Sequence, residues 1–248
     1  MRRVIAADLK RILTRVWPWV LMVIAFLIMF LMVLDGIETA PDKGFHFLSR
    51  VNKLGLISII VGFTLLMGIY GDEFKAMTMI GIIGRGLDRD KYVLSKFLDM
   101  LIVGGFYYGL SGIVEYLIYL GESVVLTTTE VRYLWFGLIF QLFEIICYVT
   151  IAALFFFMSE NVAIGIFAFL AFELIVPLVM GFAALIPTVA EYHLDSYYVS
   201  GLLDSAFSSF IIRDNLNGIL ISAVAALVYI GLPLLATILV FRKKELEF

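Results

Sequence analysis

Six continuous apolar segments constrain the fold of this chain more than any other feature. They lie near residues 16–34, 54–71, 97–120, 132–158, 161–186 and 216–241. A membrane-spanning helix needs about 20 mostly apolar residues, and continuous runs favour helices over the alternating strands of a barrel. We therefore predict an all-α polytopic membrane protein, with six transmembrane helices in a single domain covering residues 1–248.

Composition excludes a separate soluble domain. The chain is 62% hydrophobic and 16% charged, whereas a soluble domain is about 45–50% apolar and about 25% charged. The single Cys147 excludes a disulfide framework and a thiolate metal cluster. His46 and His193 are isolated in sequence, so we expect no metal site.

The distribution of basic residues predicts the orientation. With the N-terminus in the cytoplasm and six spans, 13 of the 18 Lys and Arg residues fall on the inner side, as the positive-inside rule requires. Both termini are then cytoplasmic. Residues 1–15 place apolar side chains on one helical face, which predicts a helix lying in the inner interface. A flexible basic orientation signal is the alternative.

The inner loop at residues 72–96 has a helical pattern of its own. Met77, Ile80 and Ile83 recur at helical spacing, and Gly84-Arg85-Gly86 ends that pattern. Asp88 is placed to cap the next helix, with Leu87 and Tyr92 spaced as a hydrophobic staple. A short capped helix beside a basic turn suits docking of a cytosolic partner. The alternative is a plain re-entry turn whose basic residues only fix the topology.

This loop and the basic tail after the sixth span resemble those of the permease subunits of type-2 ABC exporters. The matching residues are Glu73, Thr78-Met79-Ile80, Arg85, Arg89 and Lys96, with the tail Phe241-Arg242-Lys243-Lys244-Glu245-Leu246. Met77-Thr78 stands where the family commonly has Gly-Thr. The resemblance implies a cytosolic coupling helix that sits in a cleft of an ATPase. The coupling residues it implies are Glu73, Phe74, Thr78, Ile80, Arg85 and Arg89.

The same resemblance implies partners and a substrate class. Two permease subunits, identical or similar, pair with cytosolic ABC ATPase subunits in the cell membrane of a bacterium. The sequence has no G-x-x-x-x-G-K-[ST] motif, so ATP and Mg²⁺ belong to the ATPase subunit and this chain binds no cofactor. We expect no enzymatic activity and no nucleic-acid partner. Permeases that export bacteriocins, lantibiotics or amphipathic antimicrobial peptides are the members it looks most like.

Three glutamates lie inside the apolar segments, where a charge is costly. An acid at the bilayer centre costs about 2.5–3.5 kcal/mol on insertion scales, so these side chains should face the protein interior. The candidate translocation path is Glu115, Gln141, Glu144, Tyr148 and Glu173. Protonated acids that only hold helices together are one alternative, and a proton relay is another. Pro177, four residues after Glu173, removes an amide and predicts a kink or local opening.

Two further patterns lead to structural predictions. The segment 187–215, before the sixth span, interleaves apolar and polar residues and predicts an amphipathic helix at or dipping into the outer interface; the resembling family has re-entrant helices there, and an ordinary loop is the alternative. Gly105, Gly109 and Gly112 share one helical face and predict close helix contact.

Two other functions remain open. One is a secondary transporter coupled to protons or Na⁺ through Glu144 and Glu173. The other is a membrane scaffold that transports nothing.

Overall fold

The protein is a bundle of apolar helices. A computed structural model describes residues 2–39, 55–71, 78–121, 127–186, 191–211 and 217–244, and no strand occurs in these ranges. The helices are α1 (Arg2–Thr14), α2 (Val16–Thr39), α3 (Gly55–Ile69), α4 (Thr78–Gly84), α5 (Arg89–Gly121), α6 (Thr128–Ser159), α7 (Val162–Leu170), α8 (Val176–Ala183), α9 (Val199–Ile211), α10 (Asn217–Ala226) and α11 (Leu232–Lys243).

Several of these helices are long and apolar enough to cross a membrane, so the predicted membrane-embedded helical class is confirmed. Four continuous helical stretches qualify: Arg89–Gly121, Glu130–Ser159, Val162–Ala183 and Ala223–Lys243. A fifth arises if α1 and α2, which meet at a bend of 67°, form one broken span. The second predicted span is shorter than expected, because α3 has 15 residues and begins at Gly55.

The predicted third span begins earlier than its apolar run. Helix α5 starts at Arg89 rather than near residue 97, so the inner loop ends at Asp88. Asp88 takes the predicted position before the helix, where its carbonyl accepts the Tyr92 N–H at 3.0 Å, and its carboxylate pairs with Lys91 at 2.5 Å. The first turns of α5 carry charges because they extend past the apolar run, a boundary that hydropathy alone does not mark.

Helix α6 is the centre of the bundle. It packs against α3, α5, α7, α9 and α11 and is the most buried of the four long helices. Its start is fixed by a capping box, in which the Thr127 hydroxyl accepts the Glu130 N–H and the Glu130 side chain accepts the Thr127 N–H. Its end is marked by Glu160 in the left-handed conformation, with φ 54°.

The last two apolar stretches are both interrupted by a π-helical turn. Residues Ala171–Ile175 separate α7 from α8, and residues Leu227–Gly231 separate α10 from α11. Each turn is followed two residues later by a proline, Pro177 and Pro233. The predicted opening near Pro177 is confirmed as a π-bulge, while the second bulge was not anticipated from the sequence.

The glycines of α5 contact their neighbours differently from the prediction. A methyl group on Gly105 or Gly109 would meet no described atom within 4 Å, so these two glycines make no close contact among the described residues. The predicted close contact is present at Gly112, beside Leu138 of α6, and a further one is made at Gly104, beside Leu142.

Candidate functional site

The structure brings Glu144 of α6 and Glu173 of the first π-bulge together. Their carboxyl groups lie within electrostatic reach of one another. Three tyrosines from separate parts of the chain lie within reach of both carboxyls: Tyr108, Tyr148 and Tyr198. We call these five residues the glutamate–tyrosine cluster. The sequence predicted that the two acids share a depth, and here they also share a site.

Direct contacts order the cluster around α6. The Tyr148 hydroxyl donates to Glu144 Oε1 at 3.1 Å, one helical turn away. The Tyr148 ring stacks on that of Tyr198, with centroids 5.9 Å apart and planes 25° apart. The Tyr108 hydroxyl lies 3.4 Å from the Ser58 hydroxyl of α3. The three tyrosines are almost fully buried, while the two glutamates are partly accessible.

The π-bulge explains how Tyr198 is held. In the bulge the Val176 N–H donates to the Ala171 carbonyl, five residues back. At that spacing the Phe172 carbonyl would pair with the nitrogen of Pro177, which carries no hydrogen. The Tyr198 hydroxyl donates to this carbonyl instead. A backbone acceptor left over by the helix is thus satisfied by a side chain from a distant segment.

A hydrogen bond from a second tyrosine joins the segment just before α9 to the second π-bulge. The hydroxyl of Tyr229, inside the second π-bulge, donates to the Tyr197 carbonyl at 2.9 Å. Further along α9, the Phe207 ring packs on Tyr133 and Phe140, near the start of α6. Helix α9 therefore runs antiparallel to α6, with its beginning level with Tyr148. The predicted amphipathic helix in segment 187–215 is present, and its first residues reach as deep as the two bulges.

The cluster's two carboxyl groups lie in a part of the chain that is poor in basic residues. No Lys or Arg occurs within the predicted spans between residues 133 and 241, apart from Arg213 in the connecting segment. Carboxylates beside tyrosine rings and hydroxyls form a favourable environment for a cation, through charge and cation–π attraction. Among the described residues, no group of three or more His, Cys, Asp or Glu side chains is arranged to hold a metal ion.

Two predicted path residues lie beside the cluster and not inside it. Glu115 of α5 is 1% exposed and sits about 10 Å beyond Tyr108 toward the Gly121 end of its helix. Gln141 lies about one turn from Glu144 toward the start of α6, with its Oε1 atom buried. If the cluster is part of a path, these two residues extend it toward that end of the bundle.

The predicted coupling residues are divided between several environments. Glu73 and Phe74 lie outside the described residues. Thr78 and Ile80 lie in the short helix α4, and Arg85 is exposed in the turn that follows. Arg89 is engaged within the chain, because its Nη1 donates to carbonyl oxygens at the end of α11.

A buried ion pair that the sequence reading missed joins α1 to α5. Lys96 Nζ lies 2.8 Å from Asp8 Oδ2. Lys96 and Asp99 are fully buried, and Asp8 is 6% exposed. Arg11 pairs with Asp8 at 3.4 Å and donates to the Ile69 carbonyl at the end of α3. We call Asp8, Arg11 and Lys96 the buried ionic network; Asp99 lies within electrostatic reach of Asp8 and Lys96.

Lys96, which the sequence placed at the end of the inner loop, lies within α5 and is fully buried against Asp8 of α1. A signal was available, because Asp8 lies next in sequence to the apolar face of α1 and Asp99 follows Lys96 by three residues on α5. Neither position indicates that α1 and α5 pack together there, because that contact depends on tertiary packing.

Comparison with known proteins assigns this chain to no family. No protein-family model matches the chain, and no curated protein matches it.

Proposed function

We propose that this chain is the membrane-spanning permease subunit of an ATP-driven exporter of the ABC type. A separate subunit hydrolyses ATP, and two permease chains, identical or similar, enclose the path. The proposed substrate is an amphipathic or antimicrobial peptide with cationic groups. The bundle has six crossings, with α1 in the inner interface, α4 as the coupling helix and the segment before α10 re-entering from outside.

The observation that carries this proposal is the arrangement at one end of the bundle. The short helix α4 and its exposed Arg85 lie directly before α5. The ends of α3, α6 and α11 gather there too, as the contacts of Arg11, Lys244 and Arg89 with their last residues indicate. The other helix ends at this base are bound to one another, whereas the end of α4 and the basic turn at Arg85 are exposed. A cytosolic ATPase subunit can bind this exposed surface and displace α4.

The glutamate–tyrosine cluster supports a cationic cargo. In the proposed cycle, ATP binding closes the two ATPases and displaces α4, and the helices rock so that the cluster opens first inward and then outward. Partly accessible Glu144 and Glu173 attract basic groups of the peptide, while the tyrosine rings accept its apolar side chains. No covalent step is involved.

A secondary transporter is the alternative, and one observation favours it. Interrupted helices beside carboxylates at the membrane centre are a common feature of transporters driven by protons or Na⁺. Here Glu173 lies within one interrupted helix, and α6, which carries Glu144, packs against the other. An ATPase requirement would exclude this alternative, and transport that persists without ATP but stops when the ion gradient is dissipated would support it.

The test of the ATPase proposal is association. The tagged chain, purified from its native cells in mild detergent, should carry a protein with a Walker A motif that hydrolyses ATP. The Arg85→Glu variant should insert normally but lose that ATPase, and Lys243→Glu, another exposed basic residue at the same end, is the matched control. Absence of any ATPase from the wild-type preparation would contradict the proposal.

Orientation has its own test. A cysteine replacing Tyr192, which is 70% exposed, should react with an impermeant thiol reagent in intact cells. A cysteine replacing the exposed Asp88 should react only after the cells are opened. The reverse pattern would contradict the proposed six-span orientation.

A further inference from the structure

The beginning of α5 is bound directly to the end of α11. Arg89 Nη1 donates to the Phe241 carbonyl at 2.9 Å, to the Arg242 carbonyl at 3.1 Å and to the Lys244 carbonyl. The last carbonyls of a helix lack partners within that helix and carry partial negative charge. One arginine therefore satisfies several of them and compensates the helix dipole.

Charge pairs extend this connection to α6. Asp90 pairs with the guanidinium of Arg242 through both carboxylate oxygens, with Nε to Oδ1 at 2.6 Å. Lys244 Nζ lies 2.9 Å from Glu160 Oε1 and donates to the Phe157 carbonyl at 3.0 Å and the Met158 carbonyl at 3.1 Å. We call Arg89, Asp90, Arg242, Lys244 and Glu160 the base clamp.

An aromatic core lies directly above the clamp. Tyr92, Phe157 and Phe241 come from α5, α6 and α11, and each is at most 1% exposed. The Phe241 ring centroid is 5.1 Å from that of Phe157 and 5.9 Å from that of Tyr92. The Arg89 guanidinium also lies 5.8 Å from the Phe241 ring centroid. Packed rings leave little room for the three helix ends to shift separately.

The coupling helix joins this clamp through a short connection. Helix α4 ends at Gly84, and only residues 85–88 separate it from α5. Gly86 adopts φ 92°, a conformation that favours glycine. Arg85 is exposed, whereas Arg89 is half-buried. A displacement of α4 therefore acts first on Arg89 and Asp90, and these residues are held to the last helix.

We infer that the base clamp is the route by which movement of α4 reaches the last helix, and that Arg89 is a positioning residue and not a contact of the partner. This inference rests on the proposed function. It divides the two arginines of one loop into separate roles. Arg85 faces the partner, and Arg89 passes the displacement on to α11 and, through Lys244, to α6.

The experiment compares Arg89→Gln with Arg85→Gln in the complete permease–ATPase complex in nanodiscs. A cysteine replacing Leu220, which is exposed on α10 at the far end of the last helix, reports its movement through the rate of maleimide labelling with and without ATP and vanadate. Native Cys147 is fully buried and provides the labelling background. Association of the ATPase is measured on the same samples.

We expect Arg89→Gln to keep the ATPase at wild-type affinity and to lose the ATP-dependent change in labelling at Leu220→Cys. Arg85→Gln should instead weaken ATPase binding about tenfold or more, the scale of one charge-assisted hydrogen bond. Arg89→Lys keeps the positive charge but lacks the planar fork that spans several carbonyls, so its labelling change should fall below that of the wild type.

A rescue separates transmission from a general structural defect. Asp90→Cys and Arg242→Cys, joined by a short bifunctional thiol linker in the Arg89→Gln background, reconnect α5 to α11 and should restore ATP hydrolysis stimulated by a cationic amphipathic peptide. Loss of ATPase binding in Arg89→Gln, or a full labelling change without the clamp, would overturn the inference. Failure of the rescue would also count against it. A wild-type chain that binds no ATPase would instead remove the proposed function itself.

Discussion

The buried ionic network and the glutamate–tyrosine cluster surround their ionisable groups with different partners. In the buried ionic network, Lys96 pairs with Asp8 at 2.8 Å, and Arg11 pairs with the same carboxylate. In the glutamate–tyrosine cluster, Tyr148 donates to Glu144, and residues 133–241 contain no Lys or Arg other than Arg213. Helix lengths place the cluster about 17–29 Å from the base of the bundle.

This difference indicates different roles. A buried charge with an opposite charge beside it is compensated within the chain, so it holds helices together and has little left to offer a ligand. In the proposed six-span arrangement, carboxyl groups among tyrosines near the membrane centre remain costly, and a cation that enters the cluster lowers that cost. We therefore propose that the buried ionic network is structural and that the glutamate–tyrosine cluster attracts a ligand.

The largest expected effect is on stability at the base. Lys96→Met removes the closer of the two cations that pair with the buried Asp8 carboxylate, and removing one partner of a buried pair costs about 3–5 kcal/mol. The matched control is Lys91→Met, five residues earlier on the same helix, where the pair with Asp88 is exposed and loss should change little. Thermal unfolding of both variants in the same detergent measures the difference. Equal unfolding temperatures would show that the network does not stabilise the bundle.

A smaller effect is expected where the cluster meets the backbone. Tyr198→Phe keeps the stacked ring but leaves the Phe172 carbonyl without its donor, at a cost of about 1–3 kcal/mol for an unsatisfied buried group. Tyr197→Phe is the control, because its ring is 68% exposed. Unfolding temperatures that fall equally in the two variants would argue against a role for Tyr198 in closing the π-bulge.

The sequence predicted much of the middle of this protein and little of its base. Apolar runs and Pro177 were sufficient to predict long helices, an opening beside Glu173 and a shared depth for Glu144 and Glu173. These features depend on local composition and on helix geometry. The sequence could not reveal Tyr108 or Tyr198 as neighbours of the two acids, because those contacts join residues from distant segments.

The base was harder to predict for a physical reason. Charged residues near the ends of spans usually face water, and the sequence placed both Lys96 and Arg89 in the cytosolic loop. Whether such a charge is buried depends on which helix end packs beside it. Asp8 and the last carbonyls of α11 are brought there by tertiary packing, and no local pattern around Lys96 or Arg89 encodes that.

The central claim is that Glu144 and Glu173 act on a ligand and are not structural. The most direct test measures transport and stability together in Glu144→Gln and Glu173→Gln. Each substitution keeps the shape and hydrogen bonding of the side chain and removes its charge. The probe is a dye-labelled cationic amphipathic peptide in proteoliposomes that contain the chain and its ATPase. Glu191→Gln, at an exposed position outside the long helices, is the control.

The account predicts that both glutamine variants unfold at the wild-type temperature and that peptide transport falls about tenfold or more, since one lost charge contact of about 1.4 kcal/mol is a factor of ten. A neutral peptide of the same length should be affected less. Normal transport of the cationic peptide in both variants would contradict the account. A large fall in unfolding temperature would show instead that these glutamates stabilise the packing of the helices.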